Sequence, residues 1–413
     1  MSQPYHLFQR FGVELEYMIV DGASLDVRPI SDKVLAAQAG CITGDVEFGN
    51  LEWSNELVLH VIEIRTGAPA EALTTSLASS FDNGIRRINE LLAPMGARLM
   101  PTSMHPWMDP SKDMKLWPHD YGEVYAAFDR IFDCRGHGWS NLQSVHLNLP
   151  FFGDEEFGRL HAAIRLLLPI MPALAASSPI MDGSATGLVD TRLEAYRKNC
   201  CRIPSITGRV IPEPVYSIDA YHTDILQTIF RDLAPHDPEG LLQAEWANAR
   251  GAIARFERGT IEIRVLDIQE CPAADIALLE LFCAALHALT SERWSSLPQQ
   301  AAMTVDVLEP ILMGNIGEGQ RTVITDPDYL AALGINGEKQ ISSQDLWTHL
   351  RERCLPTSRF AAPNGAPLDV ILSEGNLSQR ILKAAGNDIH REKLAEVYRE
   401  LCDCLAQGRM LRV

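Results

Sequence analysis

Residues 11–21 read FGVELEYMIVD, and residues 259–268 read GTIEIRVLDI. Both runs are rich in β-branched and aromatic residues. Asp21-Gly22 closes the first and Gly259 opens the second, so each predicts a strand bounded by turn signals. Strand side chains alternate between faces with period two. Glu14 and Glu16 therefore share one face, with Val13, Leu15 and Tyr17 on the other. Glu262 and Arg264 likewise share a face between Ile261, Ile263 and Val265. A third run, NELVLHVIEIR at 55–65, predicts a strand with Glu63 and Arg65 on one face. Glu56 falls on the opposite face under strict alternation, so either a bulge intervenes or Glu56 precedes the strand proper. In NLQSVHLNLP at 141–150, Ser144, His146 and Asn148 share one face and Gln143, Val145 and Leu147 the other.

Charge on one strand is ordinary solvent-facing decoration in an antiparallel sheet. Solvated faces, however, also use Lys, Thr, Ser and Gln, whereas here the repeated choice is Glu. Carboxylates gathered on one face repel unless cations compensate them. Mg²⁺ and Mn²⁺ prefer such oxygen ligands, which makes Glu14, Glu16, Glu56, Glu63 and Glu262 candidate metal ligands. A lone His is more often structural, but His146 becomes a candidate for a metal or phosphate contact if its strand joins the acidic sheet. The basic counterpart is Arg192, Arg197, Lys198, Arg202 and Arg209, with Arg255 and Arg258 ahead of the GTIEIRV strand. Such a cluster suits an anionic ligand. Salt bridges to the surplus carboxylates account equally well for any single Arg.

Outward from these strands, apolar spacing predicts helices at 72–94, 154–176, 273–291, 342–354, 368–385 and 388–407, and 97–103 could be a strand. The stretch 177–216 reads as loop. Strands and helices do not alternate strictly, so the class is α+β rather than doubly wound. Strand signals stop near residue 295. This divides the chain into a catalytic part, 1–300, and a mainly helical extension, 301–413, packed on it.

The chain has 413 residues, 46% hydrophobic and 22% charged, which excludes bulk disorder. Its 54 acidic and 36 basic residues leave a net charge of −18, which argues against nucleic acid or an anionic membrane as partner. The nine cysteines are an odd number without zinc-site spacing, and read as free thiols. No basic-then-apolar leader opens the chain, and the longest apolar runs read as broken by Arg or Pro before they reach membrane-span length. The expectation is a soluble, cytoplasmic protein. P-loop, nucleophile-elbow and H-E-x-x-H motifs are absent. A nucleotide would therefore bind through metals and side chains on a sheet.

These blocks together resemble the glutamate–cysteine ligase superfamily, in particular its second, bacterial branch of carboxylate–amine ligases. FGVELEYMIVD is similar to the opening metal-binding strand, and NELVLHVIEIRTG at 55–67 to the second acidic strand. SSPIMDGSATGLVDTR at 177–192 is similar to the family's Ser-Ser-Pro and Thr-Gly-x-x-x-x-Arg loop, and RGTIEIRVLD at 258–267 to its most recognisable block. NLQSVHLNLP resembles its Gln-x-x-His strand, but Ser144 and Asn148 stand where branch members often carry His and Gly. The blocks keep the family order and span about residues 11 to 290.

The resemblance implies a glutamine-synthetase-like fold: a curved antiparallel sheet forming a funnel, with helices on its outer face. It implies ATP and Mg²⁺ (or Mn²⁺) inside, and small-molecule partners: an amino-acid carboxylate, glutamate by family default, and an amine such as cysteine. A homo-oligomer is compatible with all of this. It places the five Glu and His146 at metals, and Arg264, Arg255 and Gln143 at the nucleotide. Arg192 or Arg197 would hold the carboxylate substrate or its acyl phosphate. Two other classes fit the acidic cluster: a metal-dependent amide hydrolase and a noncatalytic ligand-binding relative. ADP release that depends on both substrates separates the ligase from the first, and Mg²⁺-dependent ATP binding separates it from the second.

Overall fold

The structure is a computed structural model that describes residues 4–357 and 365–413. Its centre is an eight-stranded antiparallel sheet, open rather than closed into a barrel. The strands are β1 (Gly12–Asp21), β2 (Asp45–Phe48), β3 (Leu51–Asn55), β4 (Val61–Thr66), β5 (Ala97–Met100), β6 (Ser144–Pro150), β9 (Ala252–Arg255) and β10 (Thr260–Asp267). Between β6 and β9 lies a separate two-stranded hairpin, β7 (Ile180–Met181) and β8 (Ser184–Ala185). The order is β2-β3-β4-β1-β6-β10-β9; β6 pairs with Gly12–Leu15 of β1, and β5 with Met18–Asp21.

One sheet face is apolar, as alternation requires. Val13, Leu15, Tyr17, Ile62, Ile64, Val145, Leu147, Ile261 and Ile263 are all buried in a single cluster. Each such side chain contributes about 1.5–3 kcal/mol of burial. Helices Thr75–Leu92, Gly153–Leu167 and Pro272–Thr290 cover this face. Helix Thr75–Leu92 forms because Leu77, Phe81, Ile85, Ile88 and Leu92 recur on one side, and the Thr74 hydroxyl accepts the Leu77 N–H at its start. Pro94 and the left-handed Gly96 end it. The opposite sheet face carries the charges.

The expected strand at 55–65 is two elements. Leu51–Asn55 pairs with Val61–Thr66 through residues 56–60, so Glu56 lies in the connection and is free of the strand's alternation. The expected helix at 368–385 is also two, Gly365–Glu374 and Leu377–Ala385, parted at Gly375, whose φ of 103° no helix accommodates. The stretch 177–216, read as loop, contains helix Thr191–Asn199. Its start is set by Asp190, which accepts the Leu193 N–H at 2.8 Å. Helix Pro272–Thr290 is long and apolar enough to cross a membrane by length and composition, against the sequence expectation; 89% of its most apolar window is buried inside the protein.

Beyond residue 300 the described elements are helices and one two-residue ladder, β11 (Val323–Ile324) with β12 (Ile341–Ser342). Helices Ser343–Cys354 and Gly365–Glu374 pack on Pro272–Thr290, and helix Arg391–Gln407 packs on Thr75–Leu92 and β5. A fully buried ion pair joins Arg380 to Glu270. The Leu411 carbonyl accepts from Arg380 at 2.8 Å and its N–H donates to Glu270 at 3.2 Å. The end of the chain is thus tied to the core just beyond β10.

Candidate active site

The polar sheet face is assembled by register. Glu14 lies opposite Arg65 on β4 and opposite His146 on β6; Glu16 lies opposite Glu63; Glu262 lies opposite Asn148. Four strands therefore deliver Glu14, Glu16, Glu63, His146 and Glu262 to one place, and the β3–β4 connection adds Glu56. Ligand atoms of Glu16, Glu56 and Glu63 lie within 4.8 Å of one another, as do those of Glu14, Glu63 and His146. Glu63 belongs to both groups.

Hydrogen bonds hold these side chains in place. The Ser144 N–H and hydroxyl both donate to Glu16 Oε2, at 2.7 and 3.0 Å. With that hydroxyl proton committed, His146 Nε2–H donates to Ser144 Oγ at 2.9 Å, while Nδ1–H donates to Glu14 at 3.0 Å. Asn148 Nδ2 donates to the other Glu14 oxygen at 3.0 Å. Asn148 fits because its cross-strand neighbour is Gly12, where a Cβ would come within 2.9 Å of Asn148 Cβ. The two departures from the branch pattern, Ser144 and Asn148, therefore both brace the acidic row.

The electrostatics divide the cluster. Burial alone would lower the His146 pKa, but its bond to Glu14 and the charges of Glu16 and Glu262 outweigh that and raise it to about 9. Burial opposes ionisation of Glu262 too, yet Arg264, His146 and Arg255 hold its carboxyl at about 2. Arg264 Nε sits 2.6 Å from one Glu262 oxygen and Arg255 2.7 Å from the other. Glu63 and Glu56 are under-compensated. Burial and the charge of Glu14 push Glu63 up to about 8, against the help of Arg65 at 3.2 Å and the Ser54 hydroxyl at 2.7 Å. Burial and the charges of Glu16, Glu63 and Glu14 push Glu56 well above the carboxylate range.

A divalent cation would compensate this donor set. Three carboxylates that repel one another at ligand distances are the hard oxygen donors that Mg²⁺ and Mn²⁺ accept. The second group adds His146, whose ring would offer a nitrogen once a cation displaces the proton it shares with Glu14. The residues fit metal in chemistry as well as in spacing.

Two cavities flank the cluster. One, of about 460 Å³, is lined by Glu14, Asn148, Arg10, Arg65 and Arg258. The other, of about 280 Å³, is lined by Glu16, Glu56, His146, Arg192 and Arg264, with aromatic walls.

The remaining expected site residues fall differently. Gln143 is on the other face of β6 from His146: it is fully buried, and Leu142 and Ser144 line the cavity instead. It therefore does not face a nucleotide there. Arg197 pairs with Glu194 at 3.2 Å along its own helix and lies outside the lining of both cavities. Arg192 does reach the cavity wall, but it is 2% exposed and its guanidinium is committed to Asp267 and to the Arg264 carbonyl at 3.3–3.4 Å.

Sequence alternation missed Asp267. A register shift between Ile263 and Leu266 inserts an extra residue in β10, so Asp267 pairs with Ser144 and turns away from its expected face. It accepts the Ser177 N–H and the Ser178 hydroxyl, both at 2.7 Å, as well as Arg192 Nε. Asp267 thus binds the Ser-Ser-Pro loop to the strand bearing Glu262 and Arg264. The only sequence signal was an Asp ending an apolar strand, which needs a partner when buried.

The family model for glutamate–cysteine ligase family 2 matches residues 10–400. An uncharacterized protein of Archaeoglobus fulgidus is 32% identical, over 97% of this chain and 99% of its own length. A putative glutamate–cysteine ligase 2-3 of Rubrobacter xylanophilus is 28% identical, over 47% of this chain and 49% of its own; the match thus spans about half the length of that named relative. Among solved structures, the glutamate–cysteine ligase of Francisella tularensis in complex with AMP superposes with a TM-score of 0.60 at 11% identity, covering 100% of this chain and 91% of that one. A bifunctional glutathione synthetase from Pasteurella multocida superposes with a TM-score of 0.50 at 13% identity, covering 96% of this chain and 52% of that one. At these identities the structural likeness speaks for the fold. With a single sheet carrying the acidic blocks and the family model spanning nearly all of the sequence, the chain belongs to glutamate–cysteine ligase family 2.

Proposed function

We propose that this protein is an ATP- and Mg²⁺-dependent carboxylate–amine ligase. The observation that carries the reading is the five-Glu, one-His cluster standing between two cavities with arginines on both sides. A carboxylate is a poor electrophile toward an amine. Transfer of a phosphoryl group to it makes an acyl phosphate, which the amine nitrogen then attacks. The C–N bond forms, the C–O bond to phosphate breaks, and the amine loses a proton.

The larger cavity, with Arg10, Arg65 and Arg258 near its walls, suits a polyphosphate. The smaller one, with Arg192 and Arg264 in its lining, suits the acyl donor and the amine. Bound metal would supply charge neutralisation across the transferring group, held by Glu14, Glu16, Glu56, Glu63, His146 and Glu262. Arg264 would turn the guanidinium nitrogens beyond its Nε–Glu262 bond onto the transferred phosphoryl, while Glu262 and the Arg192–Asp267 pair hold it in place. Arg255, with Nε buried and unpaired, is the second cation available to that anion. The AMP held by the Francisella tularensis relative supports an adenine nucleotide as phosphoryl donor. Glutamate and cysteine are the family's default pair.

The test is ADP release by purified protein with Mg²⁺, across a matrix of amino acids and amines. Release that requires both partners is the expected result. Release of an amine from amides without ATP would instead point to a hydrolase.

A further inference from the structure

We propose that the amine accepted at this site carries an aromatic or bulky apolar body rather than the small thiol side chain of cysteine; this rests on the ligase reading above. The smaller cavity is walled by Tyr125, Phe128, Trp139 and Trp246. Phe128 packs at a tilt against Trp139, with 5.2 Å between ring centroids, and against Trp246 at 5.9 Å. Phe132 stacks behind Trp139 at 5.4 Å. These rings come from three segments: helix Gly122–Phe132, the short helix His137–Ser140 and the turn Glu245–Ala247.

None of the four wall rings is fully buried. Each packs on one side against the hydrophobic core and lines the cavity with the apolar surface that remains. Exposed apolar area of this kind marks a ligand surface. The Asn55 amide donates to the Tyr125 hydroxyl at 3.1 Å, fixing that ring next to Glu56. An incoming ammonium would meet a carboxylate and ring faces, both of which attract a cation, while an aromatic body would stack on the walls. Cysteine would leave most of those rings facing water.

The experiment uses the full chain with ATP, Mg²⁺ and a panel of amino-acid donors that includes glutamate. The amines compared are 2-phenylethylamine, ethylamine and cysteine. We expect kcat/KM for 2-phenylethylamine to exceed that for cysteine by about tenfold or more, in line with aromatic contact energies. Phe128→Ala and Trp246→Ala should each lower the 2-phenylethylamine-to-ethylamine ratio of kcat/KM about tenfold, and Trp246→Phe should largely restore it. Cysteine equal to or better than 2-phenylethylamine, or a ratio unmoved by both alanine variants, overturns the inference.

If no donor–amine pair releases ADP, the ligase reading itself has failed. The cavity is then read by binding alone, through quenching of tryptophan fluorescence by 2-phenylethylamine with Mg²⁺ and ADP present. Saturable binding that Trp246→Ala abolishes upholds the aromatic ligand class; no saturable binding overturns it.

Discussion

Replacing Glu63 by Gln should stabilise the metal-free protein while removing its response to metal. Glu63 is 5% exposed and shares both ligand groups of the acidic cluster. In the unfolded chain its carboxyl titrates near 4.5; in the folded one it titrates at about 8. A group whose folded pKa is raised contributes its stability below the unfolded value and loses it as pH climbs through the folded one. Metal-free protein should therefore weaken between about pH 4.5 and pH 8. At ~1.4 kcal/mol for each pH unit the full window is worth about 5 kcal/mol, as a ceiling. Gln keeps the size and can still accept from the Ser54 hydroxyl, but does not titrate. In EDTA at pH 8, Glu63→Gln should raise the urea midpoint, by an amount that shrinks to nothing near pH 4.5. Mn²⁺ or Mg²⁺ should raise the midpoint of the parent protein and much less that of the variant. A parent protein indifferent to metal, or a Glu63→Gln protein no more stable than the parent at pH 8 in EDTA, would refute the reasoning.

Arg264→Ala should fold, since buried Glu262 keeps Arg255 and His146 beside it, yet lose about 10²–10³-fold of ADP-forming activity, with Arg264→Lys recovering only part; circular dichroism and turnover together check this. Arg192→Ala strands buried Asp267 and should cost about 3–5 kcal/mol in urea unfolding, with activity falling as the Arg264 strand loosens. Arg380→Ala strands Glu270 by a similar amount and should expose the last helix to limited proteolysis before the sheet unfolds. His60 and His105 are buried neutral, with pKa values lowered by burial to about 4 and about 3. His105 Nδ1 accepts the Trp107 N–H at 3.2 Å, which needs that nitrogen unprotonated. Stability should fall as pH drops below about 6.5, by up to ~1.4 kcal/mol per pH unit for each His until its folded pKa is reached. His105→Gln should flatten that slope in urea titrations at pH 7 and pH 5.

The alternation of Glu14 with Glu16, of Glu63 with Arg65, and of Glu262 with Arg264 was legible because strand periodicity is a local property of the backbone. The same holds for helix Thr75–Leu92, whose apolar spacing and Thr74 cap lie within one segment. From such patterns came the α+β class, a charged sheet face and a metal-seeking set of carboxylates. Tertiary structure alone decided which strands are neighbours, so that Glu14 on β1 meets His146 on β6, some 130 residues away in the chain. It placed Glu56 in a connection and turned Asp267 onto the charged face through one extra residue in β10. It also spent Arg192 on that Asp. Periodicity counts residues along one strand and carries no information about bulges or cross-strand partners. Those are settled by which arrangement leaves the fewest buried charges and polar groups without partners, and that is a property of the whole fold.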